Sequence, residues 1–145
     1  MTYAIDIMDD LLLKPLPSHL QGRVLARHTF WLPDEATALY ARAKAVVSLE
    51  CHSPLLAYTQ GVPAIYLRQP TDTIKGQMYR DIGLPEWILE IEQAGEAEIA
   101  AAIFKILVEP DWAKNYLASA MAYVNERFAT ACERIRDIAT APVMT

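Results

Sequence analysis

Between two short apolar runs lies Glu50-Cys51-His52-Ser53-Pro54, which gathers a carboxylate, a thiol, an imidazole and a hydroxyl at consecutive positions. An imidazole directly after a strand can act as a general acid or as a cation toward a phosphate. His52 is therefore the candidate catalytic residue, against the plainer reading of a histidine that bonds loop carbonyls. Ser53 followed by Pro54 suits the start of a helix, and the exposed backbone N–H groups of such a turn suit an anion. Glu50 can hydrogen-bond a ribose or sugar hydroxyl, or pair with Arg68 or Lys75. Cys51 could attack a substrate beside His52, but neighbours in a turn rarely face each other and no third orienting residue stands out. A buried thiol serving as a small hydrophobe is the better reading.

A second polar group follows the next apolar run: Arg68, Gln69, Thr71, Asp72, Thr73, Lys75 and Gln77. Arginine and lysine together can neutralise a phosphate, one by bidentate contact and the other as a point charge. Arg68, Gln69, Thr71 and Lys75 are thus candidate ligand contacts, with a solvated loop as the equal alternative. Lys75-Gly76 lacks the upstream glycines of a phosphate-binding loop, and no GxGxxG is present. His19 and His28 have no metal-ligand spacing, and Cys51 and Cys132 are far apart with no CxxC, so neither a metal nor a disulfide is expected. Trp87, Trp112 and the tyrosines fall on apolar faces and read as core.

The elements that must position these groups follow from periodicity. Ala45-Val46-Val47-Ser48-Leu49 reads as a strand, Leu55 to Tyr58 as a short helix stopped at Gly61, and Pro63-Ala64-Ile65-Tyr66-Leu67 as a second strand. Strand, turn, helix and strand make a βαβ unit. Ligands of open parallel sheets sit outside the carboxyl ends of the strands. Glu50 and Arg68, at the two strand ends, are expected on that edge.

Before this unit the pattern predicts a helix over 3–13 (Ile5, Met8, Leu12 or Leu13), ended by Pro15 and Pro17, and a strand over 23–27. A helix capped by Asp34 and carrying Ala36, Leu39, Tyr40 and Ala43 comes next. After the unit come a short helix over 74–82 closed by Gly83, a strand over 87–91, and helices over 97–108 and 111–138. The last would be ~40 Å long, enough to outspan a small domain. This alternation predicts a three-layer, Rossmann-like α/β domain over 1–145 with a short parallel sheet of about four strands.

Composition narrows the partners. A net charge of −5 argues against nucleic acid or an anionic membrane as a general partner. The first residues lack the basic and apolar regions of a signal peptide, and no stretch has the ~18 apolar residues of a membrane span. A cytoplasmic protein is expected. A small sheet with a long apolar helix also leaves a surface to cover, by a homodimer or by a further N-terminal domain.

The stretch VVSLECHSPLLAYTQGVPAIYL, followed by Lys75 and by Asp81-Ile82-Gly83-Leu84, resembles the C-terminal portion of the polysaccharide pyruvyl transferase family. That family shows an apolar strand, an Arg-x-His turn, a small-residue helix, Gly-x-Pro and another strand. The resemblance covers roughly residues 34 to 91. It implies the C-terminal, donor-side half of a glycosyltransferase-B architecture, acting in cell-surface polysaccharide biosynthesis. It also implies phosphoenolpyruvate as the donor, no cofactor, and acid catalysis by His52. The family's arginine is Glu50 here, so Arg68 or Lys75 is expected to supply the cation. The Gly61-x-Pro63 turn and Leu67-Arg68 are similar also to the donor half of sugar-nucleotide 2-epimerases and related glycosyltransferases, which implies a sugar-nucleotide ligand. A third expectation is a non-catalytic module that binds a ligand or partner through its open edge.

Overall fold

The computed structural model describes residue 7 and residues 9–141. Its described residues fall into two compact units that divide between Ala36 and Thr37.

The first unit holds a π-helical turn, Asp9–Leu13, and a short helix, α1 (Ser18–Gln21). The remainder of the helix expected over 3–13, Ile5 and Met8 included, lies outside the described residues. The strand expected over 23–27 does not form: the segment is irregular and Leu25 stands 93% exposed. Its apolar run is only Val24, Leu25 and Ala26 between two arginines, too little apolar surface to hold a strand against a core. Arg27 lies over the Trp31 ring and bonds Glu35 at 2.6 Å. Glu35 also accepts from the Leu32 amide at 3.0 Å. That bond first, and then Arg27, hold its carboxyl below the usual range. Helix α2 (Pro33–Tyr40) starts on Pro33 itself, whose missing N–H costs nothing at a first position.

The second unit is a mixed α/β structure around an open, three-stranded parallel sheet in the order β1 (Val46–Ser48), β2 (Ala64–Arg68), β3 (Ile88–Glu90). Helix α3 (His52–Thr59) joins the first two strands. A 3-10 stretch (Pro70–Gly76), α4 (Gln77–Asp81) and a 3-10 turn (Pro85–Trp87) join the second and third. Two helices follow, α5 (Glu96–Val108) and α6 (Pro110–Thr140). The sheet thus has three strands where about four were expected. Consecutive residues of a strand point to opposite faces, and Ala64, Ile65 and Tyr66 are all fully buried, so β2 is covered on both sides. The edge strand β1 is covered on one: Val46 is buried while Val47 is 40% exposed.

Sequence punctuation has local reasons here. Gly61 takes a left-handed φ of +71° after α3, where the Val62 amide bonds back to the Ala57 carbonyl at 3.0 Å. Pro63 then leads into β2, where its missing N–H removes no ladder bond, and its carbonyl accepts from Val46 at 3.0 Å. Gly83, with φ +87°, ends α4 in the same way, as its position predicts. Pro110 closes α5 and opens α6 as the first helical residue.

The core is aromatic. Tyr66 stacks on Tyr79 at 5.0 Å, Tyr58 contacts both Tyr79 and Trp87, and Trp87 meets the Tyr116 ring edge-on at 5.0 Å. Ile106 of α5 and Ala113, Leu117 and Ala120 of α6 complete the cluster. Beyond Val124 the seam of α6 continues at alternating three- and four-residue steps, Phe128, Ala131, Ile135 and Ile138. There it is exposed, with Ile138 77% accessible. No helix among the described residues is long and apolar enough to cross a membrane.

Candidate functional site

The carboxyl ends of β1 and β2 lead into residues 49–51 and 69–76, and because the strands are parallel both segments emerge at the same edge. This edge carries the candidate residues.

Glu50 is the organiser. One carboxylate oxygen, Oε2, accepts from the His52 and Ser53 amides at 2.9 Å each and from the Ser53 hydroxyl at 3.3 Å. These amides open α3, so the carboxylate takes the place at the helix start that an anionic ligand was expected to take. The other oxygen, Oε1, is hydrogen-bonded to His52 Nδ1. Ser53 therefore lies inside the first turn rather than ahead of it, and the capping oxygen comes from Glu50. Burial pushes the Glu50 carboxyl up, but the bonds from the His52 backbone and ring and from the Ser53 backbone outweigh it. The carboxyl lies below its usual value of 4.5.

A depressed carboxyl in the folded state adds stability that is complete above the unfolded value and is lost as pH falls through the folded one. The difference in urea midpoint between the protein and Glu50→Gln should therefore be full near neutrality and shrink below pH 4.5. A difference that does not change between neutrality and acid would contradict this capping role. At neutral pH the loss should be about 1 kcal/mol, as for other helix-start caps.

Cys51 lies beneath these side chains, only 4% exposed, as expected for a thiol used as a small hydrophobe. Its sulfur is 3.6 Å from Glu50 Oε1 and 3.6 Å from His52 Nδ1. Burial, then the Glu50 charge, push the thiol up, and Lys75 acts in the opposite sense. The Cys51 carbonyl accepts from the Tyr79 hydroxyl, which ties α4 to this turn. His52 is exposed, with its side chain 76% accessible.

On the adjoining loop Arg68 is engaged by the protein. The register places it directly opposite Glu90 across β2 and β3. Its Nη1 donates to both Glu90 oxygens at 3.0 and 2.8 Å, and its Nη2 donates to the Thr73 carbonyl at 2.5 Å. Gly76 packs on the arginine stem so closely that a Cβ there would overlap it. Thr73 adopts φ +48°, a conformation that costs a β-branched residue about 1–3 kcal/mol, with its carbonyl bound to Arg68. Arg80 shares Glu90 at 3.3 Å, so two guanidiniums meet one carboxylate.

Gln69 donates its amide to Asp72 Oδ2 at 3.0 Å, and the Tyr66 hydroxyl donates to the same oxygen at 2.5 Å. Thr71 is exposed. Lys75 is exposed and makes no hydrogen bond or ion pair among the described residues. The structure thus brings together Glu50, His52 and Ser53 in one bonded group, with Lys75 close enough to act on Cys51. Arg68, Gln69 and Asp72 form a separate network that shapes the loop.

Glu90, Tyr79 and Tyr66 are the parts of this edge that sequence reading missed. Glu90 had a signal, a charged residue closing the third strand as Arg68 closes the second. A hollow of about 460 Å³ opens elsewhere, beside Pro63 at the start of β2, with Lys44, Gln60 and Lys114 on its wall. It contains none of the candidate residues. Comparison of the chain with protein-family models, with curated proteins and with solved structures returns no match.

Proposed function

We propose that this chain is the donor-side half of a transferase of the polysaccharide pyruvyl transferase type, with a glycosyltransferase-B-like architecture, acting in cell-surface polysaccharide biosynthesis. The observation that carries the reading is the carboxylate-oriented histidine at the carboxyl edge of a parallel strand, with a lysine on the adjoining loop that has no partner among the described residues. A carboxylate on one ring nitrogen fixes the orientation of the imidazole, leaving Nε2 to exchange a proton with a ligand. In this reading His52 protonates the methylene carbon of phosphoenolpyruvate while an acceptor hydroxyl adds at the adjacent carbon. The first hydroxyl's proton returns to the imidazole, phosphate then leaves that carbon, and a second hydroxyl takes its place, its proton going to the departing phosphate. Lys75 holds the donor's anionic groups, with the positive excess around Glu90 behind it.

Glu50 does not repel such a donor as a bare carboxylate would, because two helix amides and the imidazole already balance it. The same engagement argues against Glu50 as a ribose ligand and so against a sugar-nucleotide. The edge is open on one side, and the reading assigns its other wall to an N-terminal half or a second copy. Calorimetry with phosphoenolpyruvate and with UDP- and GDP-sugars tests it. Heat with phosphoenolpyruvate that is lost in Lys75→Ala is expected. Heat with a sugar-nucleotide alone would replace pyruvyl by glycosyl transfer, and no heat with any at millimolar ligand would leave an interaction module.

A further inference from the structure

The geometry points to Glu50, Cys51 and His52 as a three-donor site for a borderline divalent cation, zinc being the ion that suits oxygen, sulfur and nitrogen together. Consecutive residues of a strand would send these side chains to alternate sides. Here Cys51 has helical angles, φ −70° and ψ −21°, at the start of α3, and the chain curls so that the three donors converge. All three lie within 4.8 Å of one another. Metal–ligand bonds of ~2.0–2.3 Å in a tetrahedron place neighbouring donors roughly 3.3–3.6 Å apart. The Cys51 sulfur is 3.6 Å from each of the other two donors. Only the Glu50–His52 pair, now joined by a hydrogen bond, must open.

The supporting shell is in place. Glu50 reaches the site with Oε1 because Oε2 is held by the His52 and Ser53 amides, and the Cys51 carbonyl is anchored by Tyr79. Binding needs Nδ1 free of its proton and Cys51 as the thiolate, so protons pass to solvent as the cation enters. The fourth position is left to water or to a ligand oxygen. The site shares Glu50 and His52 with the transfer reading, but it needs neither a donor nor Lys75.

Cobalt titrated into the reduced protein tests it by absorption. A thiolate-to-cobalt charge-transfer band should saturate at one equivalent, persist in Cys132→Ser and vanish in Cys51→Ser. His52→Ala, whose side chain is exposed and whose folding is not at risk, should weaken binding at least tenfold. Zinc should bleach the band by displacing cobalt. A band that follows Cys132, survives in Cys51→Ser, or fails to form at millimolar cobalt overturns the site. Calorimetry with phosphoenolpyruvate on Cys51→Ser reports on the transfer reading separately.

Discussion

Replacing His52 by alanine is expected to lower the proposed transfer reaction by 10²- to 10⁴-fold, the usual worth of a positioned acid–base group, or ~3–5 kcal/mol of barrier. The readout is phosphate released from phosphoenolpyruvate in the presence of acceptor saccharide. The side chain is exposed and its bonds are confined to the Glu50–Cys51 turn, so the loss should come with at most a small change in the unfolding midpoint. Glu50→Gln should act through His52, lowering kcat while the donor KM stays near its original value, because Glu50 orients the imidazole rather than the donor. A His52→Ala protein within threefold of full activity would remove His52 from the chemistry and with it the proposed mechanism.

The largest effect on folding is expected at Trp87. Its side chain is 1% exposed and touches Tyr58, Trp112 and Tyr116, joining the sheet to α6. Trp87→Ala should cost about 3–5 kcal/mol through lost transfer energy and the cavity left behind. Trp87→Phe should cost well under half of that. The indole Nε1 is buried and has no hydrogen-bond partner among the described residues, so phenylalanine keeps much of the contact and removes a donor that they do not satisfy. Denaturant midpoints followed by circular dichroism give both numbers. Equal losses for the two variants would mean that the indole ring, and not its apolar bulk, is what the core requires.

Much of the framework was legible because it rests on local signals. An apolar run rich in β-branched residues marked β1 and a second apolar run marked β2, Gly61 and Gly83 marked two left-handed helix ends, and periodicity marked α5 and α6. The failures have physical causes as well. Val24 and Leu25 have strand-like side chains, but nothing packs on Leu25, and strand propensity without a covering surface forms no strand. At the helix start, a Ser-Pro pair suggested that Ser53 caps α3. A carboxylate three residues earlier competes for the same amides, and its second oxygen can also hold a histidine.

The candidate site divides along the same line. The residue types at the edge, and their placement just after parallel strands, could be read from the sequence because strand ends and turn chemistry depend on neighbours in the chain. What those residues do to one another depended on register and on the path of the loop. Pairing β2 with β3 sets Arg68 against Glu90 across twenty-two positions and engages its guanidinium within the protein. The curl at Cys51 turns Glu50 back onto its own helix and onto His52. The sequence alone determined which functional groups would stand at this edge. Only the tertiary structure decided which of them are spent on each other, because hydrogen bonds and ion pairs are settled by separations of a few ångströms that spacing along the chain does not specify.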